Sequence, residues 1–143
     1  MDERLREFLL HNHAAIMVTV RQDGSPHVAR VTVGLVDGRI WSSGTQTRVR
    51  TRHLRTNAQA ALCVLKEPDH HDWLGIEGVV TIHEGPDVIE KLLALRRAVG
   101  REPRDLEEFR RTMVEQHRLI YEFSVQRWYA HVGNEAGASR TTA

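Results

Sequence analysis

Two Asp-Gly pairs constrain the first third of this chain to an antiparallel arrangement. Asp23-Gly24 and Asp37-Gly38 each lie between runs that are rich in β-branched residues. Asp-Gly is favoured in two-residue hairpin turns because both central residues of such a turn need a positive φ angle. The runs that these turns connect are predicted strands over residues 15–20, 27–36 and 39–43. Three strands joined in this way form an antiparallel meander.

The rest of the sequence predicts three further strands and four helices. The strands are expected over residues 60–65, 73–83 and 119–131, and the helices over residues 2–10, 47–56, 87–99 and 105–117. Gly78 interrupts the fifth strand, as is typical of a bulge or a tight barrel corner. Asp87 is the expected N-cap of the third helix. Six strands with few helices predict a mainly β fold, a six-stranded antiparallel barrel with flanking helices outside it.

The composition limits the class of function. A chain of 143 residues with a net charge of +1 predicts one domain and argues against a basic nucleic-acid binder. We expect this domain to span residues 1–132, and residues 133–143, which are small and polar, to form a disordered tail. No apolar run approaches the roughly 20 residues that span a bilayer. The N-terminus carries acidic residues and lacks the apolar core of a secretory signal, so we expect a cytoplasmic protein without a membrane partner.

The segment TQTRVRTRHLRTN, residues 45–57, gives the strongest indication of function. Four arginines fall within eight residues there: Arg48, Arg50, Arg52 and Arg55. In one interpretation Arg48 and Arg50 stand at the start of the predicted helix, where free backbone N–H groups also favour an anion. The hydroxyl groups of Thr51, and of Thr45 or Thr47, would add donors.

In the other interpretation all four arginines belong to a solvated helix face. Only two of the 20 basic residues are lysines, and so arginine-rich a composition produces clusters by chance. At helical spacing, moreover, Arg48, Arg52 and Arg55 share one face while Arg50 points away from it. Composition alone slightly favours this second interpretation, and both stay open at this point.

Other side chains offer less. The His70-His71 pair and the His11 and His13 pair lack a second matched pair at the spacing that zinc needs, so no metal site is expected. Cys63 lies in an apolar run and is favoured as a small buried residue, and Glu77 as an outward-facing or paired strand residue. There is no nucleophile elbow, Walker loop or dinucleotide fingerprint, so the catalytic residues stay unassigned. An enzyme without such a motif can still work if a cofactor carries the chemistry and the protein orients it.

A set of segments in a fixed order gives a further indication of fold and function. The segments are AIMVTV at 15–20, DGSPH at 23–27, RIWSS at 39–43, RVRTRHLRTN at 48–57, Ala61-Leu62, Glu77-Gly78 and residues 106–121. In this order they resemble the pyridoxamine 5'-phosphate oxidase-like split-barrel family, and the likeness extends from about residue 5 to residue 132. Within that family the likeness is greatest to a small actinobacterial branch of coenzyme F420-dependent oxidoreductases.

The resemblance implies a six-stranded split β-barrel, like that of FMN-binding proteins, that forms a homodimer. A flavin or deazaflavin would lie in a groove between the subunits. The segment after the third strand would hold the cofactor phosphate, which implies the binding residues Ser43, Thr45, Arg48, Arg50, Thr51 and Arg52. Arg50 stands where the branch usually has lysine, and arginine keeps the charge while adding a second prong.

Two departures from the family pattern matter. Arg30 stands in the second strand where a small polar residue is usual, and it is expected either to reach a negatively charged cofactor tail or to crowd the ring site. The arginine-rich C-terminal motif that recognises pyridoxal phosphate is missing, so oxidation of vitamin B6 is not expected.

The resemblance therefore implies an oxidoreductase that uses coenzyme F420 to pass a hydride to an electron-poor small molecule. FMN in the same fold is the first alternative. The second is a non-catalytic carrier of a cofactor or tetrapyrrole.

Overall fold

Six strands close into an antiparallel barrel, and four helices pack against its outside. The computed structural model describes residues 1–133 and 141–142. The helices are α1 (Glu3–His11), α2 (Val49–Thr56), α3 (Val88–Ala98) and α4 (Leu106–Glu115). The strands are β1 (Ala14–Val20), β2 (Pro26–Val36), β3 (Arg39–Thr45), β4 (Gln59–Leu65), β5 (Trp73–His83), β6 (Arg118–His131) and the short β7 (Thr141–Thr142). The predicted six-stranded split barrel with flanking helices is confirmed.

The barrel closes where β3 pairs with β6. The strands follow the order β3-β2-β1-β4-β5-β6, with β7 added at the outer edge of β6. In the closing pair Ile40 lies opposite Phe123 and Thr45 lies opposite Arg118. Strand β3 extends to Thr45, two residues beyond the range 39–43 that was predicted from sequence. This extension brings the end of β3 beside the start of β6.

Strand β3 is buried on both of its faces. Ile40 belongs to the barrel core, to which β1, β2, β4, β5 and β6 also contribute inward-facing residues such as Leu62 and Tyr121. Trp41 points the other way, into a second apolar cluster formed with α3 and α4 around Leu92. The residues of β3 that follow Trp41 on the outer face therefore emerge between the barrel and α3.

The local features predicted from sequence mostly hold. The pairing of β5 with β6 shifts register between Glu77 and Gly78, which confirms the predicted bulge. Asp87 occupies the N-cap position of α3, but its side chain makes no capping hydrogen bond. Its backbone is helical there (φ −72°, ψ −14°), whereas a capping residue needs an extended backbone to turn its side chain toward the free N–H groups. The Asp105 side chain does cap α4, accepting from the Glu108 N–H at 3.1 Å.

The predicted disordered tail begins at Gly133. Residues 134–140 and 143 lie outside the described part of the chain. Within that part, Gly133 donates its N–H to Asp72 Oδ1 at 2.6 Å, and Thr141 and Thr142 pair with Trp128 and Arg127.

The half-buried carboxylate of Glu122 connects the barrel to α3 through a chain of hydrogen bonds. Glu122 accepts a hydrogen bond from Trp41 Nε1 at 2.7 Å and lies 3.2 Å from His83 Nε2. The other ring nitrogen of His83 is 3.4 Å from Lys91 Nζ on α3. Burial raises the pKa of Glu122, but the hydrogen bonds from Trp41 and His83 outweigh it, and the net pKa is lowered. The ionised form therefore contributes to holding α3 in place.

Adding a methyl group at the β5 bulge should destabilise the barrel. A Cβ atom on Gly78 would clash with the backbone carbonyl oxygen of Ser124, which cannot swing away as a side chain does. Gly78→Ala should lower the free energy of unfolding by about 1–3 kcal/mol, measured by urea denaturation. Thr81→Ala, at an exposed position on the same strand, serves as the control and should stay within about 0.5 kcal/mol of wild type. Equal stabilities of the two variants would contradict this account of the bulge.

The carboxylate of Glu122 should also give the fold a pH dependence. Because its folded-state pKa is lowered, its stabilisation is complete above the unfolded value of about 4.3 and is lost as the pH falls through the folded value. The free energy of unfolding should therefore fall more steeply below about pH 4.3 in wild type than in Glu122→Gln. Glu115→Gln, at an exposed position on α4, should keep the wild-type slope. Denaturation curves at a series of pH values test this, and an unchanged slope in Glu122→Gln would refute it.

Candidate functional site

The first turn of α2 is fixed to the barrel by Thr51. Its hydroxyl group donates to the carbonyl oxygen of Thr45 at 2.7 Å and also hydrogen-bonds the hydroxyl group of Tyr121. The Thr51 side chain is fully buried. Tyr121 reaches it across Gly44, where a Cβ atom would clash with the phenol ring. Thr51 therefore orients the helix, and its hydroxyl group is turned toward the protein.

Arg50 lies in the same turn and is half-buried. Its guanidinium carbon is 5.7 Å from the centre of the Tyr121 ring, and its Nη2 atom makes a long contact of 3.4 Å with the Ser43 carbonyl oxygen. The buried Nε atom has no hydrogen-bond partner among the described residues. Burial lowers the pKa of Arg50, the Tyr121 hydroxyl group opposes this shift, and Arg48 adds to it. A buried charged donor without a protein acceptor is typical of a site that takes an anion.

Arg118, at the start of β6, brings a further charge to the same place. Burial is the main reason that its pKa is lowered. Three neighbouring positive charges lower that pKa further: Arg48, Arg50 and Arg96. The Arg118 Nε atom donates to Gln116 Oε1 at 2.8 Å. We call the four guanidinium groups of Arg48, Arg50, Arg96 and Arg118 the arginine cluster.

The arginine cluster lacks acidic partners. The ion pairs between described residues involve other arginines, and no carboxylate among those residues pairs with a member of the cluster. Arg48 is the N-cap residue of α2 and provides no side-chain capping bond. The free N–H groups of the first helical turn thus add their partial positive charge beside Arg48 and Arg50. The arrangement is suited to a multiply charged anion.

The structure separates the remaining arginines of the segment from this cluster. Arg55 forms a two-pronged ion pair with Glu84, with contacts of 3.0 and 2.9 Å. Its charge is thus compensated within the protein, as expected of a surface residue. Arg52 is exposed on α2.

Ser43, Thr45 and Arg30 lie around the arginine cluster. Ser43 lies on the outer face of β3 and lines a small cavity together with Thr32 and Arg118. The Thr45 hydroxyl group is half-buried and 3.4 Å from the Thr47 hydroxyl group. Arg30 is exposed and donates to the Val31 carbonyl oxygen at 3.0 Å and to the Thr32 hydroxyl group at 3.2 Å. Arg30 therefore stands next to a residue of this cavity without lining it.

Sequence reasoning missed three residues of the site. The predicted last strand begins at residue 119, one residue after Arg118. Arg96 lies on a helix far along the chain, and the sequence indicates no role for Tyr121 beyond that of a strand residue. The signal that would have found Arg118 is the register of β3 on β6, which sets it opposite Thr45. That pairing joins segments that are remote in sequence.

Other candidate groups lie away from this site. Glu77 accepts from the Tyr129 hydroxyl group at 2.8 Å and lies 3.4 Å from Arg127, which confirms its predicted role as a paired residue. Burial raises the pKa of the half-buried Cys63 thiol, which disfavours the reactive thiolate. Within residues 1–133 and 141–142 no three His, Cys, Asp or Glu side chains are grouped as for a metal ion. In that same part of the chain, no helix combines the length and the apolar character needed to cross a membrane.

Another cavity, larger than the one that Ser43 lines, is remote from the arginine cluster. It measures about 630 Å³ and lies between α1 and the far end of β5 and β6, beside Phe8 and Trp128. The buried indole nitrogen of Trp128 has no hydrogen-bond partner among the described residues.

Comparison with known families identifies the class of protein. A family model described as pyridoxamine 5'-phosphate oxidase matches residues 1–132, which is nearly the whole chain. The chain therefore belongs to this family, as the sequence resemblance predicted.

Solved structures share the fold at low sequence identity. A heme-binding protein from Mycobacterium smegmatis has a TM-score of 0.76 at 19% identity, over 98% of this chain and 57% of that chain. An F420 reductase has a TM-score of 0.66 at 20% identity, over 90% of this chain and 98% of that chain. A pyridoxamine 5'-phosphate oxidase-related, FMN-binding protein from Nostoc punctiforme has a TM-score of 0.66 at 12% identity, over 98% and 94%. At these identities the likeness establishes the fold.

The contact between Thr51 and Thr45 should be required for stability. Thr51→Val keeps the shape of the side chain but removes its hydrogen bonds to the Thr45 carbonyl oxygen and to the buried Tyr121 hydroxyl group, so the free energy of unfolding should fall by about 1–3 kcal/mol. Thr47→Val changes a neighbouring exposed threonine and should stay within about 0.5 kcal/mol of wild type. Urea denaturation of both variants tests this. Wild-type stability of Thr51→Val would mean that the hydroxyl group faces solvent or a ligand instead.

Proposed function

We propose that this protein is an oxidoreductase that binds coenzyme F420, with the cofactor phosphate held by Arg48 and Arg50. The observation that carries the proposal is the arginine cluster, four guanidinium groups without a carboxylate partner among the described residues. An anion would offset their mutual repulsion and would give the buried Arg50 Nε atom an acceptor. A phosphate meets both needs because it accepts several charged hydrogen bonds at once.

The residues fit a phosphate group in distinct ways. Arg48 is exposed at the start of α2 and supplies charge next to the free N–H groups of the helix. Arg50 supplies a partly desolvated guanidinium group whose carbon lies 5.7 Å from the centre of the Tyr121 ring. Thr45 and Ser43 lie on the adjoining outer face of β3 and would contribute a hydroxyl or a carbonyl group. Thr51 acts through position, since it fixes the turn from which Arg50 projects.

The number of charges favours F420 over FMN. A single phosphate monoester carries roughly −1.5 to −2 charges at neutral pH, which leaves part of a cluster of four arginines uncompensated. F420 carries carboxylates along its tail in addition to its phosphate. Arg118 and Arg96 extend the positive surface away from Arg50 and would meet such further charges. Arg30 and Arg52 are exposed and would reach only the ends of an extended ligand.

When bound, F420 supplies a hydride for transfer to an electron-poor small molecule. The contribution of this chain would be to anchor the phosphate, to orient the ring by backbone groups of β2 and β3, and to exclude water in a groove completed by a second subunit. Among the described residues no His, Asp or Glu side chain contacts the arginine cluster, so the proton for the product would come from solvent or from the partner subunit.

A carrier without turnover is the second candidate. One structural neighbour is described as a heme-binding protein, and the described neighbourhood of the arginine cluster lacks an acid–base residue. A carrier would bind its ligand as tightly as an enzyme does but would transfer no hydride to any acceptor.

Titration of the purified protein separates these possibilities. Oxidised F420, FMN and hemin would be added in turn while fluorescence or absorbance is followed. Saturable binding of F420, and hydride transfer from reduced F420 to a panel of enones and quinones, are expected. Tight binding of FMN without binding of F420 would show that FMN, and not F420, is the cofactor. Tight binding of F420 without any turnover would show that the protein is a carrier.

Removing Arg50 tests the phosphate site itself. Arg50→Ala deletes a charged hydrogen-bonding partner and should weaken F420 binding by about 1.5–3 kcal/mol, or roughly 10- to 150-fold. Arg48→Ala should act in the same direction and less strongly, since Arg48 is exposed. The control is Arg111→Ala, which removes the same charge from an exposed position on α4 and should leave affinity within about twofold. If Arg50→Ala and Arg111→Ala bound F420 with equal affinity, Arg50 would not be part of the binding site.

A further inference from the structure

A second, smaller cavity lies between α3 and the outer face of the barrel. Its volume is about 170 Å³. One half of its wall is apolar and is formed by Leu92, Leu95, Val99 and Met113. Helix α3 packs tightly on β2 here, because a Cβ atom on Gly34 would come within 2.9 Å of Leu95 and Val99. The apolar wall is thus held in place by the helix packing.

The other half of the wall is polar and positively charged. It is formed by Thr32, Ser43, Arg96, Arg101 and Arg118. Arg96 is oriented by two contacts: its Nε atom donates to the Arg101 carbonyl oxygen at 3.1 Å, and its guanidinium carbon lies 5.5 Å from the centre of the Phe109 ring. No carboxylate in the described part of the chain pairs with these three arginines, whereas the adjacent Arg97 is paired with Glu102 at 2.8 Å. The cavity therefore combines an apolar pocket with an uncompensated positive rim.

The volume decides what can enter. A water molecule takes about 30 Å³ of liquid, so the cavity holds the equivalent of five or six waters. Pockets for drug-sized or flavin-sized ligands measure roughly 300–1,000 Å³. The cavity is too small for the ring system of a cofactor, but its volume suits a compact molecule of about ten non-hydrogen atoms. A ligand that matches the two halves of the wall has an apolar body and one anionic group.

We propose that this cavity is a binding site for a small organic acid. The apolar body of the acid would lie against Leu95, Val99 and Met113, and its carboxylate would be held by Arg118 and Arg101. Thr32 and Ser43 would add hydroxyl donors at the mouth. The site shares Arg96 and Arg118 with the arginine cluster, but its apolar wall and Arg101 lie outside that cluster, so the site does not depend on which cofactor the cluster binds.

Benzoate is a suitable probe, and benzamide is its neutral counterpart of nearly the same shape. Binding to the full chain would be measured by ligand-detected NMR titration without any cofactor. We expect saturable binding of benzoate and at least about tenfold weaker binding of benzamide, because only the carboxylate forms charged hydrogen bonds. Equal binding of the two compounds, or no binding of benzoate, would overturn the proposal.

Substitutions locate the binding. Arg118→Gln and Arg101→Gln should each weaken benzoate binding about tenfold, while the exposed Arg111→Gln should leave it within about twofold. Arg101 is exposed, so its variant is expected to fold like wild type, and thermal unfolding checks this for both variants. Benzoate affinity that is unchanged in both variants would place the compound elsewhere and refute the proposal.

The same variants distinguish this proposal from the cofactor proposal. Arg101→Gln should leave F420 affinity within about twofold, and Arg48→Ala should leave benzoate affinity within about twofold. If Arg101→Gln weakened F420 as strongly as benzoate, the cavity would hold the carboxylate tail of the cofactor, and the proposal of a small acid would be wrong. Benzoate binding without any F420 binding would refute the cofactor proposal and leave the organic-acid site standing.

Discussion

The pairing of β3 with β6 is the constraint on which both proposed sites depend. It closes the barrel and sets Thr45 opposite Arg118. It also brings Tyr121 across Gly44 to meet Thr51, a residue 70 positions earlier in the chain. The end of β3, the first turn of α2 and the start of β6 thus form one rigid unit. Arg48, Arg50 and Arg118 project from this unit, so backbone pairing fixes the positions from which these three side chains extend, and Arg96 joins them from α3.

So much positive charge in one place has an energetic cost. Elsewhere the protein avoids this cost by pairing, since Arg55 binds Glu84 and Arg97 binds Glu102. Arg96, the neighbour of Arg97 on α3, has no such carboxylate partner among the described residues. Among the described residues, the arginines of the cluster and of the small cavity thus differ from Arg55 and Arg97 in having no carboxylate partner, which is the arrangement that an anion-binding site requires.

Much of this architecture was predictable from local sequence. The hairpins at Asp23-Gly24 and Asp37-Gly38 and the bulge at Gly78 follow from backbone preferences that a few adjacent residues decide. The position of Arg48 and Arg50 at a helix start was predictable for the same reason. The grouping of charges by helical spacing was less successful, because Arg48 is the N-cap residue and lies before the first residue of α2.

What the sequence did not predict depends on contacts between remote segments. The rotation of α2 is fixed by the hydrogen bond from Thr51 to Thr45 and by Tyr121, so periodicity within the helix cannot determine it. Arg96 and Arg118 join the site only through helix packing and barrel closure. Their recruitment turns a short basic segment, for which composition slightly favoured a solvated face, into a partly desolvated cluster.

The choice of arginine at position 50 follows from these surroundings. Burial and Arg48 both act to lower the pKa of this group. A lysine starts from a pKa of about 10.4 and would be pushed toward neutrality in the same place, whereas arginine starts from a much higher pKa and keeps its charge. The planar guanidinium group also lies within cation–π distance of the Tyr121 ring while it still presents N–H donors at its edge. Arginine at position 50 therefore keeps its full charge and a defined orientation. A lysine there would lose part of its charge to the neighbouring cations and would lack the planar group that contacts Tyr121.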